Sequence, residues 1–338
     1  MPLHARCEPI LRRFHASGWT DPEAMTIEQA RLASAEQSAP FRGPAAPIAG
    51  VRTVAVPGPG GAVPARVYGP HEAQAPGVLV WFHGGGFALG SLESCDVLAR
   101  ALARAASCVV LSVEYRLAPE HPFPAGLEDC YAATRWAAEH AHELGAAGDG
   151  VAIGGESAGG NLAAAVALLA RERGDVRPAL QVLTYPMTCR AADGLPSRTG
   201  VSGASWPTPD GIDWLWDLYL AGHDPADGLA SPLLAASLDG LPPALVMTAE
   251  YDTLRDEGER YAIRLIEAGV PVETCRYEGM LHGFLDFGGI PELAQIADEG
   301  IARIGRAVRE ALDDARPADV REPVGPLRAL GGRSAAAR

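Results

Sequence analysis

The chain has 338 residues, of which 48% are hydrophobic and 21% are charged, an ordinary composition for a globular protein with one large core. Its formal net charge of −14 argues against nucleic acid and anionic membranes as partners, because both require clustered lysine or arginine. No stretch reaches the roughly 20 apolar residues of a membrane span, and the first residues lack a signal-like apolar run, so we expect a soluble cytoplasmic protein.

The six cysteines are scattered along the chain. They form no C-x-x-C pair and no cysteine–histidine spacing typical of zinc, which predicts reduced thiols and no zinc site.

Residues 1–50 are predicted to form an N-terminal cap segment and not part of the core. Helical patterns at 9–14 and 26–35 precede a proline- and alanine-rich stretch at 39–48. Short strands with turn chemistry between them begin only after this segment.

A hairpin is predicted next, because short strands at 51–56 and 63–68 flank a turn rich in proline and glycine. The chain then alternates strands at 77–82, 108–113, 151–155 and 180–185 with helices at 93–105, 125–142 and 158–173. This alternation predicts right-handed crossovers and a mostly parallel sheet that binds ligands beyond the carboxyl ends of its strands.

The alternation stops at 186–225, an aromatic-rich stretch with Trp206, Trp214, Trp216 and Tyr219. A short amphipathic helix is expected there, with most rings packed against the N-terminal helices and some lining a pocket. Strands then resume near 244 and 272, with helices at 255–268 and 291–312. The resulting division is a core at 51–185 and 226–315, a cap insertion at 186–225 and a disordered tail at 316–338.

Three consecutive glycines, Gly84, Gly85 and Gly86, follow an apolar run and leave their backbone N–H groups uncovered. Uncovered N–H groups can bind an anion, including the oxyanion that develops in an acyl-transfer reaction. A tight turn without any chemical role explains the same glycines equally well. A second motif has to decide between the two readings.

That second motif is G-x-S-x-G, with Gly155, Ser157 and Gly159 at its fixed positions. The pattern alone is weak in a glycine-rich chain, but here it lies between a buried strand and an alanine-rich helix. A serine on a sharp strand-to-helix turn exposes its hydroxyl at the positive end of the helix dipole. Ser157 is therefore predicted to be a nucleophile.

Together these motifs resemble the hormone-sensitive-lipase-like, bacterial family IV branch of the α/β hydrolases, over roughly residues 50–312. The resemblance is carried by His83 to Phe87, by Tyr115 to Glu120 with Pro124 and Ala125, by Gly155 to Gly160, by Tyr185 and Pro186, and by the loops around Asp252 and His282. It implies an α/β-hydrolase fold, with a mostly parallel central sheet flanked by helices, and a helical cap. It also implies oxyanion donors at the backbone N–H groups of Gly84, Gly85 and Ala158. The same resemblance is the sole basis for considering a homodimer through an edge strand.

α/β hydrolases carry their catalytic acid and base on loops after later strands, in the order serine, acid, histidine. Asp252 and His282 each follow a predicted strand. Of the nine histidines only His223 and His282 come after Ser157, and only His282 also comes after the acid. We therefore predict a triad of Ser157, Asp252 and His282 that needs neither a metal nor a cofactor.

Two positions depart from the family pattern. Glu156 precedes the nucleophile where aspartate is commoner, and we expect it to make a structural contact beneath the turn. Thr253 follows the acid where proline is usual. Asp256 is a rival acid, but Asp252 comes first after the strand and matches the family position.

The predicted function is a serine carboxylesterase that hydrolyses short- to medium-chain acyl esters through an acyl-enzyme intermediate. An amidase, an arylformamidase or a thioesterase would use the same groups and differ in pocket shape. A small-molecule binding protein of this fold would lack a triad member. Five residues close to the motifs are candidates for the pocket wall, although each fits the core equally well: Phe87, Trp206, Leu254, Phe284 and Leu285.

Overall fold

The computed structural model describes residues 5, 7–16, 25–70, 75–192, 194–200 and 207–315. Within them a central sheet has eight strands in the order β1-β2-β4-β3-β5-β6-β7-β8. The strands are β1 (Gly50–Gly58), β2 (Gly61–Gly69), β3 (Ala75–Phe82), β4 (Val109–Val113), β5 (Ala146–Glu156), β6 (Gln181–Thr184), β7 (Ala244–Tyr251) and β8 (Val272–Leu281).

The sheet is antiparallel at one end and parallel elsewhere. Strand β2 pairs antiparallel with β1 and with β4, whereas the strands from β4 to β8 in the sheet order are parallel to one another. The turn between β1 and β2 ends at Gly61, whose φ of 120° favours glycine. The predicted hairpin and the mostly parallel sheet are confirmed.

Helices cover both faces of the sheet. They are α1 (Glu8–Ala16), α2 (Ile27–Ser38), α3 (Leu92–Ala106), α4 (Ala125–Glu139), α5 (Ala141–Leu144), α6 (Ala158–Arg173), α7 (Pro196–Gly200), α8 (Pro209–Leu220), α9 (Arg255–Glu267) and α10 (Pro291–Ala315). Short 3-10 turns lie at Ala39–Phe41, Pro232–Leu234 and Phe284–Gly289.

The helix predicted over 125–142 is divided into α4 and α5. His140 separates them with φ −121° and ψ 20°, outside the helical range. Its ring stacks on Trp136 at 4.7 Å, and its Nδ1 lies 2.9 Å from the Trp136 carbonyl oxygen. A histidine that engages the preceding turn in this way ends α4.

Two apolar layers sandwich the sheet, and β3 contributes to both. Val78, Val80 and Phe82 belong to the layer formed with α4, α6 and α9. Leu79 and Trp81 belong to the opposite layer, formed with α3 and α10. Successive side chains of a strand point to opposite faces, so a strand covered on both sides is apolar throughout.

The N-terminal segment, expected to lie outside the core, contributes three side chains to it. Cys7, Ile10 and Phe41 are buried in the layer that contains α3 and α10. Helix α2 begins with a capping box, in which Thr26 and Gln29 exchange side-chain hydrogen bonds with each other's backbone N–H groups.

Helix α8 fixes the inserted segment onto the core. Its Trp216 and Tyr219 rings lie 5.2 and 3.7 Å from the Phe87 ring. Leu215 packs with Ala30 of α2 and with Leu89, so one helix joins the N-terminal segment to the glycine loop. Trp206 and residues 316–338 lie outside the described residues, and the expectations for them remain predictions.

Among the helices described, none combines the length and the apolarity that crossing a lipid bilayer requires.

Candidate active site

Ser157 occupies a strained turn between β5 and α6. Its φ of 56° and ψ of −117° are unusual for a residue with a side chain. The backbone is held on both sides, because the Ser157 N–H donates to the Thr184 carbonyl at 2.9 Å while Asn161 and Met187 N–H groups donate to the Ser157 carbonyl, each at 3.1 Å. The turn presents the hydroxyl at the positive end of the α6 dipole.

The glycines around Ser157 are required by close backbone approach. A Cβ on Gly159 would overlap the Phe82 carbonyl oxygen at the end of β3. A Cβ on Gly155 would overlap the carbonyl of Gly159. The G-x-S-x-G spacing therefore lets the turn pack directly against the sheet.

The predicted acid and base are in contact. Asp252 follows β7, is fully buried, and places its Oδ2 2.7 Å from His282 Nδ1. Its other oxygen, Oδ1, accepts the Leu254 N–H at 2.8 Å. Both carboxylate oxygens are therefore engaged, which fixes the orientation of the acid and, through it, the imidazole ring.

Asp256, the rival acid, has different partners. Its carboxylate lies 2.8 Å from Arg255 Nε and accepts the Ser197 N–H at 2.8 Å. The geometry favours Asp252 as the residue that orients His282.

Ser157 and His282 face the same cavity, which has a volume of about 200 Å³. The glycine loop forms one side of it, through Gly84, Gly85 and Gly86. The remaining walls are Ser34, Ser38, Arg42, Leu89, Gly90, Ser94, Glu156, Tyr185, Pro207, Thr208, Gly211, Leu215, Gly283 and Asp286. The predicted nucleophile, the predicted base and the glycine loop thus meet at the carboxyl ends of the strands.

The glycine loop is held in a conformation that only glycine allows. Gly85 and Gly86 have φ of 116° and 59°, and a Cβ on either would overlap Leu89 or Leu215. His83 stacks on Tyr115 at 4.3 Å, and the Tyr115 hydroxyl donates to the His83 carbonyl at 2.8 Å. Burial lowers the pKa of His83, so this ring braces the loop in its neutral form. Ala158, the third expected donor, is the buried first residue of α6.

Glu156 lies at the cavity wall and touches the glycine loop. Its Oε1 accepts the Gly84 N–H at 3.4 Å, and its Oε2 accepts the Tyr185 hydroxyl at 2.9 Å. The structural contacts of Glu156 are therefore made with the glycine loop and with Tyr185. Glu156 therefore places a carboxylate beside the Gly84 N–H, which is one of the expected oxyanion donors.

Four of the five residues expected at the pocket wall are not among those that line this cavity. Phe87, Leu254, Phe284 and Leu285 are buried at 0–3% exposure and pack within the core. Phe87 turns inward because it follows the glycines with a φ of 64° and stacks on Tyr219.

The sequence reasoning missed the wall that α2 supplies. Ser34, Ser38 and Arg42 line the cavity and recur every four residues. Ser34 and Ser38 lie on one face of α2, whereas Arg42 follows the 3-10 turn in extended backbone, so no helical pattern in the sequence marks all three.

Asp286 is a further wall residue that the sequence reasoning missed. Burial raises its pKa well above the ordinary value, the charge of Glu156 adds to the effect, and Arg42 opposes it.

In the described part of the chain, no group of three or more His, Cys, Asp or Glu side chains is arranged to hold a metal ion.

A family model for the α/β hydrolase fold matches residues 79–286. The chain is 49% identical over 245 residues to carboxylic ester hydrolase LipN of Mycobacterium tuberculosis, covering 70% of this chain and 64% of LipN. It is 44% identical over 253 residues to carboxylesterase NlhH of the same organism, covering 73% of this chain and 79% of NlhH. The chain thus matches just under two thirds of LipN and a larger share of NlhH.

Solved structures agree with this assignment. A hyperthermophilic esterase from the archaeon Pyrobaculum calidifontis superposes with a TM-score of 0.85 at 39% identity, covering 92% of this chain and 99% of that one. The chain therefore belongs to the α/β-hydrolase-fold family, in its hormone-sensitive-lipase-like branch.

Proposed function

We propose that this protein is a serine carboxylesterase that hydrolyses short- to medium-chain acyl esters through an acyl-enzyme intermediate. The observation that carries the proposal is the 2.7 Å contact between Asp252 and His282 at a cavity that Ser157 and the glycine loop also line. The relatives named as carboxylesterases support the same reaction class.

In the acylation step, Ser157 Oγ attacks the ester carbonyl carbon while His282 Nε2 takes the hydroxyl proton. Because Nδ1 faces Asp252, it carries the ring proton and leaves Nε2 as the acceptor. Asp252 then stabilises the imidazolium that forms. The carbonyl oxygen becomes negative and is bound by backbone N–H groups of Gly84, Gly85 and Ala158.

Collapse of this tetrahedral intermediate breaks the bond to the alcohol, which leaves with the proton held on His282. Water then attacks the acyl-enzyme, with His282 again as the base, and Ser157 is released as the hydroxyl. The side chains of this chain supply every proton transfer in the cycle.

The cavity volume of about 200 Å³ supports a small substrate. Pockets for drug-sized ligands commonly span about 300–1,000 Å³, so a long acyl chain would extend beyond this cavity. Short and medium acyl groups are the expected optimum.

The test is a series of p-nitrophenyl esters from acetyl to palmitoyl, assayed beside a matched anilide and a matched thioester. We expect the highest kcat/KM between the acetyl and octanoyl esters, with slower turnover of the anilide and thioester. A preference for the amide or thioester would assign another acyl hydrolase on the same triad. Binding without turnover of any of them would assign a binding protein.

A further inference from the structure

A second cavity, which we term the side chamber, adjoins the active site behind α2. It has a volume of about 470 Å³ and is lined by Arg31, Ser34, Ala35, Gly90, Ser91, Ser94, Glu114, Leu117, Glu120 and His121. Three of these residues, Ser34, Gly90 and Ser94, also line the active-site cavity. The two cavities therefore share part of their walls at these three residues, a boundary that we call the neck.

The neck is formed only by small residues. Gly90 has φ 88°, and a Cβ there would lie 2.5 Å from His83 Nδ1, so no side chain can narrow the neck from that side. The Ser94 hydroxyl is occupied in the capping box of α3, where it accepts the Ser91 N–H at 2.9 Å and donates to the Ser91 carbonyl at 2.7 Å. The neck therefore carries no large or charged side chain.

The wall that α2 contributes is fixed by Arg31. Its Nε donates to the Ala88 carbonyl at 2.8 Å, and a terminal nitrogen donates to the Ala118 carbonyl at 3.0 Å. The same guanidinium forms a bidentate pair with Glu120 at 2.8 and 2.7 Å. These bonds tie α2 to two separate loops and hold the chamber open.

The charge inside the chamber is unbalanced. Arg31 neutralises Glu120, which leaves Glu114 as a carboxylate with no arginine in ion-pair distance among the described residues. Glu114 Oε2 accepts the Leu92 N–H at 2.6 Å, so its position is fixed at the start of α3. A fixed carboxylate in a partly enclosed space attracts a cation and repels an anion.

We propose that the side chamber is a second substrate subsite, which receives one arm of the ester through the neck and prefers an arm that ends in a positively charged head. The proposal rests on the ester hydrolysis proposed above and names the class of substrate it favours. The ester carbonyl stays at Ser157, and the chamber holds only the distal end of the acyl or the alcohol arm.

The test compares each cationic ester with its neutral isostere, for both arms. Butyrylcholine is paired with 3,3-dimethylbutyl butyrate, and ethyl 4-(trimethylammonio)butyrate with ethyl 5,5-dimethylhexanoate. Each kcat/KM is divided by the value for p-nitrophenyl acetate measured on the same preparation. We expect at least a fivefold preference for the cationic member in one pair.

Two variants, each with a matched control, test whether that preference arises in the side chamber. Glu114→Gln keeps an oxygen acceptor for the Leu92 N–H and removes the charge, so the cationic preference should fall to below twofold. Glu172→Gln removes an exposed charge on α6 and should keep the preference. Ala35→Phe fills the chamber from its outer face and should lower the relative kcat/KM of the preferred cationic ester at least tenfold, whereas Ala35→Ser should not.

The outcomes separate the two proposals. If p-nitrophenyl acetate is hydrolysed but neither pair shows a cationic preference, or if the preference survives both Glu114→Gln and Ala35→Phe, the subsite is refuted and the esterase stands. If no ester is hydrolysed, the esterase itself fails and the subsite fails with it.

Discussion

At the scale of single residues, the proposed catalysis depends on polar groups that are withdrawn from water. Ser157, Asp252 and His282 are each at most 8% exposed, and both oxygens of Asp252 have a partner. Low local polarity strengthens the contact between carboxylate and imidazole, which keeps the ring in the tautomer the reaction needs. The roles of these residues follow from their partners as much as from their chemical types.

Asp252→Asn tests that tautomer assignment. An asparagine amide would donate to His282 Nδ1 and place the ring proton on Nε2, so kcat should fall by about 10⁴-fold while the fold is retained. Asp256→Asn is the matched control and should reduce kcat less than tenfold. Steady-state kinetics with a p-nitrophenyl ester and circular dichroism of both variants provide the measurements. A severe loss in Asp256→Asn together with an active Asp252→Asn would reverse the assignment.

Asp286→Asn tests the electrostatics of the cavity wall. Because burial and Glu156 raise the pKa of Asp286, the folded state favours its protonated form. Its ionisation therefore costs stability as pH rises above the ordinary carboxyl pKa of 3.8, until the pH exceeds the raised folded pKa. Asparagine carries no such cost, so the Tm of the variant relative to the wild type should increase as pH rises above 3.8.

Thermal denaturation at several pH values measures that difference, with Glu310→Gln, an exposed position on α10, as the control. A Tm difference for Asp286→Asn that stays constant or shrinks with rising pH would show that the pKa of this carboxyl group is not raised.

At the scale of elements, the strand-to-helix turn is the feature with the least tolerance for change. Strand β5 passes directly into α6, with Ser157 between them in a strained conformation. The strain is sustained because the turn has no room to relax against β3 and β6. Glycines at fixed positions make that close contact available.

Gly159→Ala tests this packing. Its Cβ would overlap the Phe82 carbonyl oxygen, a backbone atom that cannot rotate away. We expect a loss of about 3 kcal/mol or more in the free energy of unfolding, at the upper end of ordinary overpacking. Gly50→Ala is the control, because nothing lies within 4 Å of a Cβ at that position. Urea denaturation measures the free energy of unfolding of both variants, and equal values would contradict the packing argument.

The sequence could predict most of the elements, but not the surfaces they present to the cavity. Strands such as β3 are apolar throughout, and glycine motifs mark the glycine loop and the turn at Ser157. Each of these features could therefore be predicted from its own short stretch of sequence. The wall formed by Ser34, Ser38 and Arg42 could not be assigned, because it depends on how α2 docks more than forty residues from the nearest motif. Proximity in sequence to a motif misled the assignment of Phe87, which turns into the core.

At the scale of the whole molecule, the sheet is covered on both faces and most cysteines are enclosed with it. Five of the six cysteines are buried, Cys275 is half-buried, and these described residues form no disulfide. Burial raises the pKa of Cys7 to about 11 and of Cys108 to about 12, which suppresses the reactive thiolate. The family fold was predictable at this scale because its motifs occur in a fixed order along the chain.

Thiol titration tests this enclosure. With Ellman's reagent at about pH 8, we expect Cys275 alone to react readily in the native protein, and all six cysteines to react after denaturation. Several fast-reacting thiols in the native state would contradict the burial. Fewer than six in denaturant would reveal a disulfide.

The most direct test of the account is covalent labelling with a p-nitrophenyl alkylphosphonate, which imitates the tetrahedral intermediate. We expect loss of esterase activity in proportion to p-nitrophenol released, with the phosphonyl group located on Ser157 by peptide mass spectrometry. Ser157→Ala should be folded, unlabelled and inactive, and His282→Gln should label far more slowly. Labelling of another residue, or ester hydrolysis by Ser157→Ala at the wild-type rate, would contradict the claim that Ser157 is the nucleophile.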